Sequence, residues 1–186
     1  MFENTDIRIT DVKLTSNAPY FSNRAVSGKF QKRYTGVQFF EVDFTLNYME
    51  KDTKGIKRFL ALHQLSRPFD FDLSYYGRYE GTVQGLVTSA QNAAQGSRLI
   101  KLGAFVGTLE AGSVVQFQNH SKLYTVTEDV KSGGTLKIFP SLRGQVQVGE
   151  QLKYQNIKGK FILSNEKTEL NIKNLSSIKL KATEVI

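Results

Sequence analysis

The chain has 186 residues, a formal net charge of +8, 15 glycines, three prolines and no cysteine. The missing cysteine excludes disulfide frameworks, thiolate metal sites and cysteine nucleophiles. A hydrophobic content of 40% with 23% charged residues excludes global disorder, and the length allows one domain or two small ones.

The charge is spread rather than blocked. Residues 1–86 carry 12 basic and 10 acidic side chains, residues 87–155 carry 7 and 4, and residues 156–186 carry 6 and 3. Scattered charge of this kind reads first as a solvated surface. The start of the chain has acids at Glu3, Asp6 and Asp11 and no apolar core segment, so it is not expected to be a signal peptide. No apolar run approaches the roughly 20 residues of a membrane helix, so no membrane partner is expected.

In chain order, Ile7 to Leu14 alternates and then slips by one at Thr10-Asp11, which predicts a strand with a bulge or break. Residues 16–36 are rich in Ser, Asn, Gly and Lys, and predict a long loop with an irregular strand around Ala25 to Phe30. Val42, Phe44, Leu46 and Tyr48 alternate with Glu41, Asp43, Thr45 and Asn47, the pattern of a half-buried strand. Asp52-Thr53 offers an N-cap. Ile56, Phe59, Leu60 and His63 then follow at helical spacing, predicting a helix over residues 53–65, stopped at Arg67-Pro68. Phe69, Phe71, Leu73 and Tyr75 alternate with Asp70, Asp72 and Ser74 as a second clean strand.

From Gly85 the texture changes to short strands divided by glycine turns. They are expected at Val87–Ala90, Leu99–Leu102, Val114–Gln118, Leu123–Thr127, Thr135–Phe139 and Leu152–Gln155, the spacing of a small barrel. Lys160–Leu163, Glu169–Lys173 and Ile178–Ala182 are strand-like again. Three strands in so short a stretch need a partner sheet, and residues 1–86 supply one. The expected organisation is therefore a discontinuous domain, 1–86 with 156–186, carrying an inserted barrel at 87–155.

The chemistry-bearing residues do not assemble a catalyst. His63 lies on the apolar helix face and His120 in the turn Gln118-Asn119-His120-Ser121, and neither has companions at metal-ligand spacing. Asp70 and Asp72 share a strand face, as do Glu41 and Asp43, and both pairs read as solvated acidic faces. Gly103-Ala104-Phe105-Val106-Gly107 lacks the Lys-Ser or Lys-Thr of a phosphate loop, and no Gly-x-Ser-x-Gly elbow occurs. Phe69, Phe71 and Tyr75 read as core, leaving Tyr76, Arg78 and Tyr79 as the exposed part of an aromatic and basic stretch. No enzyme, cofactor or metal is expected.

The stretch Gln38-Phe39-Phe40-Glu41-Val42-Asp43-Phe44, the helix at Ile56–Leu65 and Arg67-Pro68-Phe69-Asp70-Phe71-Asp72-Leu73 resemble the N-terminal domain of siphophage distal tail (Dit) proteins. Leu99-Ile100-Lys101-Leu102 through Gly112, Tyr124-Thr125-Val126-Thr127 and Ile138-Phe139-Pro140-Ser141-Leu142 are similar to the small OB-like barrels inserted in one branch of that family. Phe161–Leu163, Leu170–Ile172 and Ser177–Val185 resemble its return to the first domain. The resemblance implies a mainly β fold with one short α-helix, a β-sandwich-like domain carrying an OB-like β-barrel.

It also implies a function. Six copies would close a ring joining the tail tube to the baseplate hub or tail tip, in a virion assembled in the host cytoplasm. DNA would pass through the ring without specific binding, past hypothetical lumen residues Asp43, Asp70 and Asp72. A lumen of that kind is expected to be acidic or neutral, so the positive charge of this chain is expected outside it, on the barrel. Residues 16–36 are the candidate inter-subunit or tube-binding arm.

A second reading is a ligand-binding protein. Its barrel face, with Lys122, Tyr124, Phe139 and Arg143, would take oligosaccharide, including a host-surface saccharide, or single-stranded nucleic acid. A third is another tail ring component, a tube or terminator subunit.

Overall fold

Alternation along the chain decides where the backbone extends. The computed structural model describes residues 6–73, 79–170 and 173–185. β1 spans Arg8–Asn17, β2 Tyr20–Arg24, β3 Phe30–Tyr34 and β4 Phe39–Met49. A 3-10 turn at Glu50–Asp52 leads into α1, Thr53–His63, and β5 follows at Phe69–Asp72. Short strands come next: β6 (Val87–Thr88), β7 (Leu99–Lys101), β8 (Thr108–Leu109), β9 (Val114–Phe117) and β10 (Tyr124–Val126). β11 (Val130–Lys131), β12 (Thr135–Phe139) and β13 (Gln151–Lys153) complete that series, and β14 (Lys158–Leu163) and β15 (Leu175–Glu184) follow. The described residues are mainly β, with one α-helix among them and sheets curled as half-barrels.

The first sheet has the order β1-β4-β15-β14-β5. Phe40, Val42, Phe44, Leu46 and Tyr48 of β4 all face inward. In register with them, Ile178 lies opposite Leu46, Leu180 opposite Phe44 and Ala182 opposite Val42. Ile56, Phe59 and Leu60 of α1 join the same core, with the Phe59 ring edge-on to Phe69 at 5.3 Å. Each fully buried aliphatic or aromatic side chain contributes about 1.5–3 kcal/mol.

The slip at Thr10-Asp11 is a β-bulge. Pairing jumps from Thr10–Thr45 to Lys13–Asp43, and Asp11 takes φ 52°. The extra residue returns Leu14 to the core side after Ile9.

The second sheet, β6-β13-β9-β10-β12-β7, encloses its own core, which includes Val115, Phe117, Tyr124, Leu136, Ile138 and Leu152. β8 and β11 pair separately. Leu123 and Val114, although placed among these strands, pack into the first sheet's core, so the two cores abut.

Several expectations are corrected. The irregular strand expected around Ala25 to Phe30 is instead the connection of a hairpin at residues 25–29, with Phe30 opening β3. Gly28 adopts φ +81°, and its N–H donates to the Ala25 carbonyl at 2.8 Å. A left-handed glycine of this kind closes a short hairpin loop. Asp52 does occupy the helix N-cap, but its side chain makes no capping bond. The helix ends at His63, followed by the left-handed Ser66. The strand expected at Glu169–Lys173 is absent over residues 169–170 and 173, and residues 171 and 172 lie outside the described residues. Tyr75, Tyr76 and Arg78 also lie outside them.

Candidate functional site

Two features stand out, a projecting basic ribbon and the seam between the sheets. The ribbon is β2 and β3, paired from Tyr20–Tyr34 to Arg24–Phe30. Every residue from Tyr20 to Arg33 is exposed, and Phe21 keeps 71% of its surface. From Val12 to Phe40 the chain carries five basic side chains (Lys13, Arg24, Lys29, Lys32 and Arg33) and no acid.

The ribbon is tethered at its base. The Tyr34 ring packs on Phe139 with centroids 5.2 Å apart, and the Arg98 guanidinium lies 5.9 Å from the Tyr34 ring centroid. Arg143 Nη2 donates to the Gly36 carbonyl at 2.9 Å, and Thr35 Oγ1 donates to the Pro19 carbonyl at 2.8 Å. Partial burial raises the Tyr34 phenol pKa, against the pull of Arg143 and Arg98. A two-stranded ribbon is marginal by itself in water, so the contacts of Tyr34, Thr35 and Arg143 at its base are what hold this one in place. The sequence signal was present in Tyr20, Phe21, Phe30 and Tyr34, but the Ser, Asn and Gly around them read as loop.

The seam is where the expected ligand face of the barrel fails. Lys122 and Tyr124 are buried, at 2% and 0% exposure. Lys122 Nζ lies 2.5 Å from Glu184 Oε2, and both side chains are sealed from solvent. The Phe40 N–H donates to Glu184 Oε2 at 3.0 Å, and the Leu123 N–H donates to Glu184 Oε1 at 2.8 Å. Burial pushes the Lys122 ammonium pKa down, while the Glu184 carboxylate pulls it up.

The remaining members of that face are also engaged. The Tyr124 hydroxyl accepts from the Arg143 N–H at 3.1 Å and lies 3.1 Å from His120 Nδ1. His120 Nε2 lies 3.3 Å from the Gln145 carbonyl, an oxygen that can only accept from it. Phe139 is half-buried against Tyr34, and Arg143 holds Gly36. Lys122, Tyr124, Phe139 and Arg143 are therefore packing and tethering groups. A ligand would have to break them to reach them. His63, at the C-terminal end of α1, lies against Phe59 and Phe69, 4.8 and 5.4 Å away.

Asp43, Asp70 and Asp72 lie together on the outer face of the first sheet, each opposite a lysine. Asp43 is opposite Lys13 and Lys181, Asp70 opposite Lys160 and Asp72 opposite Lys158. Lys181 Nζ is 4.0 Å from Asp43 Oδ1. By register, Arg8, Lys13, Lys158, Lys160, Lys179 and Lys181 share this face with Glu41, Asp43, Asp70 and Asp72. The acids sit on a face whose balance is basic.

Two grooves flank the seam. One, of about 590 Å³, is lined by Asp70 and by Lys153, Lys158 and Lys160, which make no ion pair among the described residues. The other, of about 730 Å³, mixes apolar side chains such as Leu14, Leu73 and Ile157 with Ser113, Gln155 and Asn156 and with the acids Glu80 and Glu110. Beside it Tyr79 donates to Glu110 Oε2 at 2.8 Å.

Burial pushes the Tyr79 phenol up to about 12, and the hydrogen bond to Glu110 adds to the shift. A phenol that holds its proton longer when folded adds stability that is complete below pH 10. That stability drains away as the pH rises through about 12. Phenolate absorbance of the folded protein should show a late-titrating tyrosine, and Tyr79→Phe should remove it. An unchanged alkaline titration in that variant would count against the contact.

Among the described residues no group of three or more acidic or imidazole side chains could hold a metal ion, and no helix is long and apolar enough to cross a membrane. Comparison with protein-family models and with curated proteins finds no match.

Proposed function

We propose that this chain is a structural virion component, a distal tail protein whose hexameric ring joins the tail tube to the baseplate or tail tip. The observation that carries the reading is the discontinuous first sheet. Its adjacent strands β4 and β15 are far apart in sequence, and the second sheet is strung between β5 and β14. That arrangement supports a β-sandwich-like ring domain, 1–86 with 156–186, carrying an OB-like barrel at 87–155.

The outer edge of β1 and the exposed ribbon supply surfaces for neighbouring copies, the tail tube and the hub. Asp43, Asp70 and Asp72 are the proposed lumen residues. Their lysine neighbours would make the lumen near neutral or basic rather than acidic. DNA would traverse it without specific contacts.

Native mass spectrometry and negative-stain imaging of the purified protein test this directly. The expected result is a closed six-fold ring with outward lobes. Monomers at micromolar concentration would overturn it. The three lysines at Lys153, Lys158 and Lys160 favour one alternative, a binding protein for an anionic saccharide or single-stranded nucleic acid. Monomers retained on a polyanion column, with retention lost in Lys158→Ala, would move the assignment there. Another ring subunit, such as a tube or terminator protein, would show a different ring order.

A further inference from the structure

The first sheet is open between its edge strands. Leu14 of β1 and Leu73, just beyond β5, belong to opposite edges yet line the same groove of about 730 Å³. Val114 and Ile157 add apolar lining, and the charged side chains among the described lining residues are Glu80 and Glu110. Among the described lining residues, the groove thus joins apolar side chains and the neutral polar Ser113, Gln155 and Asn156 to two carboxylates, with no basic group.

The ribbon has the complementary character. Strand alternation gives it two faces. One carries Tyr20, Ser22, Arg24, Phe30, Lys32 and Tyr34, and is turned onto the chain's own second sheet through Tyr34 and Phe139. The other carries Phe21, Asn23, Gln31 and Arg33. Phe21 and Arg33 are directly opposite in register, so a largely exposed ring and a guanidinium form a single cross-strand pair. The tether of Arg143 to Gly36 holds the ribbon's root on the second sheet, leaving the groove of the same chain open.

We propose that the Phe21–Arg33 face of one copy seats in the Leu14–Leu73 groove of the next copy. Phe21 fills the apolar part and Arg33 meets the carboxylates of Glu80 and Glu110. The contact uses different patches on its two sides, so it propagates from copy to copy and closes when the rotation permits a ring. This inference rests on the ring reading and names the contact that would build it.

The absence of cysteine makes the test clean. Asn23→Cys marks the outward ribbon face and Gln155→Cys marks the groove, and both residues are exposed. Mixing the two single variants with a short bismaleimide should give a covalent dimer far in excess of that from either variant alone. Arg33→Glu should weaken self-association roughly tenfold or more, and Glu80→Lys should restore it. If the wild-type protein forms rings but the mixed crosslink is absent, the inference fails and the ring reading stands. Crosslinks among Asn23→Cys copies alone, in place of the mixed product, would also overturn it. If the wild-type protein stays monomeric, both fall.

Discussion

Glu184→Ala should unfold the protein at markedly lower urea, with a loss of about 3–5 kcal/mol. The carboxylate serves three donors at once, the Phe40 N–H, the Leu123 N–H and Lys122 Nζ. Removing it leaves a buried ammonium with no counter-charge, next to a guanidinium at Arg143 that already disfavours it. It also orphans two backbone N–H groups, each worth about 1–3 kcal/mol when left unpaired in the interior. Lys122→Met should cost less, because the remaining carboxylate keeps both backbone donors and the methionine chain can lie over Phe40, where Lys122 Nζ now sits 5.1 Å from the ring centroid. The double variant Lys122→Met/Glu184→Gln should recover part of the Glu184→Ala loss, since an amide oxygen replaces one acceptor and no charge remains. A Glu184→Ala loss under about 1 kcal/mol, by urea titration, would mean that the clamp does not hold the two sheets together.

The second large effect is expected at Gly107. Its φ is +95°, and a Cβ there would lie 2.2 Å from the Thr82 carbonyl oxygen and 2.5 Å from the Thr82 carbonyl carbon. Backbone atoms cannot swing aside as a flexible side chain can. Thr82 is further pinned because its hydroxyl accepts from the Thr108 N–H at 2.9 Å, and its own N–H donates to Glu110 Oε1 at 3.0 Å. Gly107→Ala should therefore cost about 4 kcal/mol. Gly112 separates the two causes. Its φ is +91°, but nothing lies within 4 Å of the added carbon. Gly112→Ala should cost only the dihedral strain, about 1–2 kcal/mol. Equal losses in the two variants by thermal unfolding would remove the steric argument.

What the sequence displays and what it hides follow from range. β4, β5, α1 and the β1 bulge each announce themselves within a dozen residues, because alternation or helical spacing is a local property. The six short strands of the second sheet were equally visible between their glycines. The ribbon is hard to read because Arg24, Lys32 and Arg33 break any apolar alternation in strands whose residues are all exposed except Tyr34. The Lys122–Glu184 pair joins residues 62 apart in sequence, and no local pattern marks such a contact. Half of it was nevertheless visible. Ile178, Leu180 and Ala182 face the core, and one more step along the strand falls on Glu184, an acid on an apolar face. A buried acid demands a partner, but nothing near it in sequence identifies Lys122 as that partner. The expected ligand face of the barrel is engaged internally for a related reason. Lys122 and Tyr124 carry polar tips that solvation normally claims, and here their partners lie on other elements.

The position of β15 has a further consequence, for the order in which the molecule can be made. β15 is the third of five strands in its sheet and the last described element to leave the ribosome. Until it arrives, β4 has β1 on one side and nothing on the other, and the acceptor for the Phe40 N–H, 144 residues further on, does not exist. The second sheet needs only residues 87–153 and can form while synthesis continues. The nascent chain is therefore expected to invert the usual N-terminal-first sequence. Its middle is expected to fold early, while the second pairing edge of β4 stays open until β15 arrives to join it.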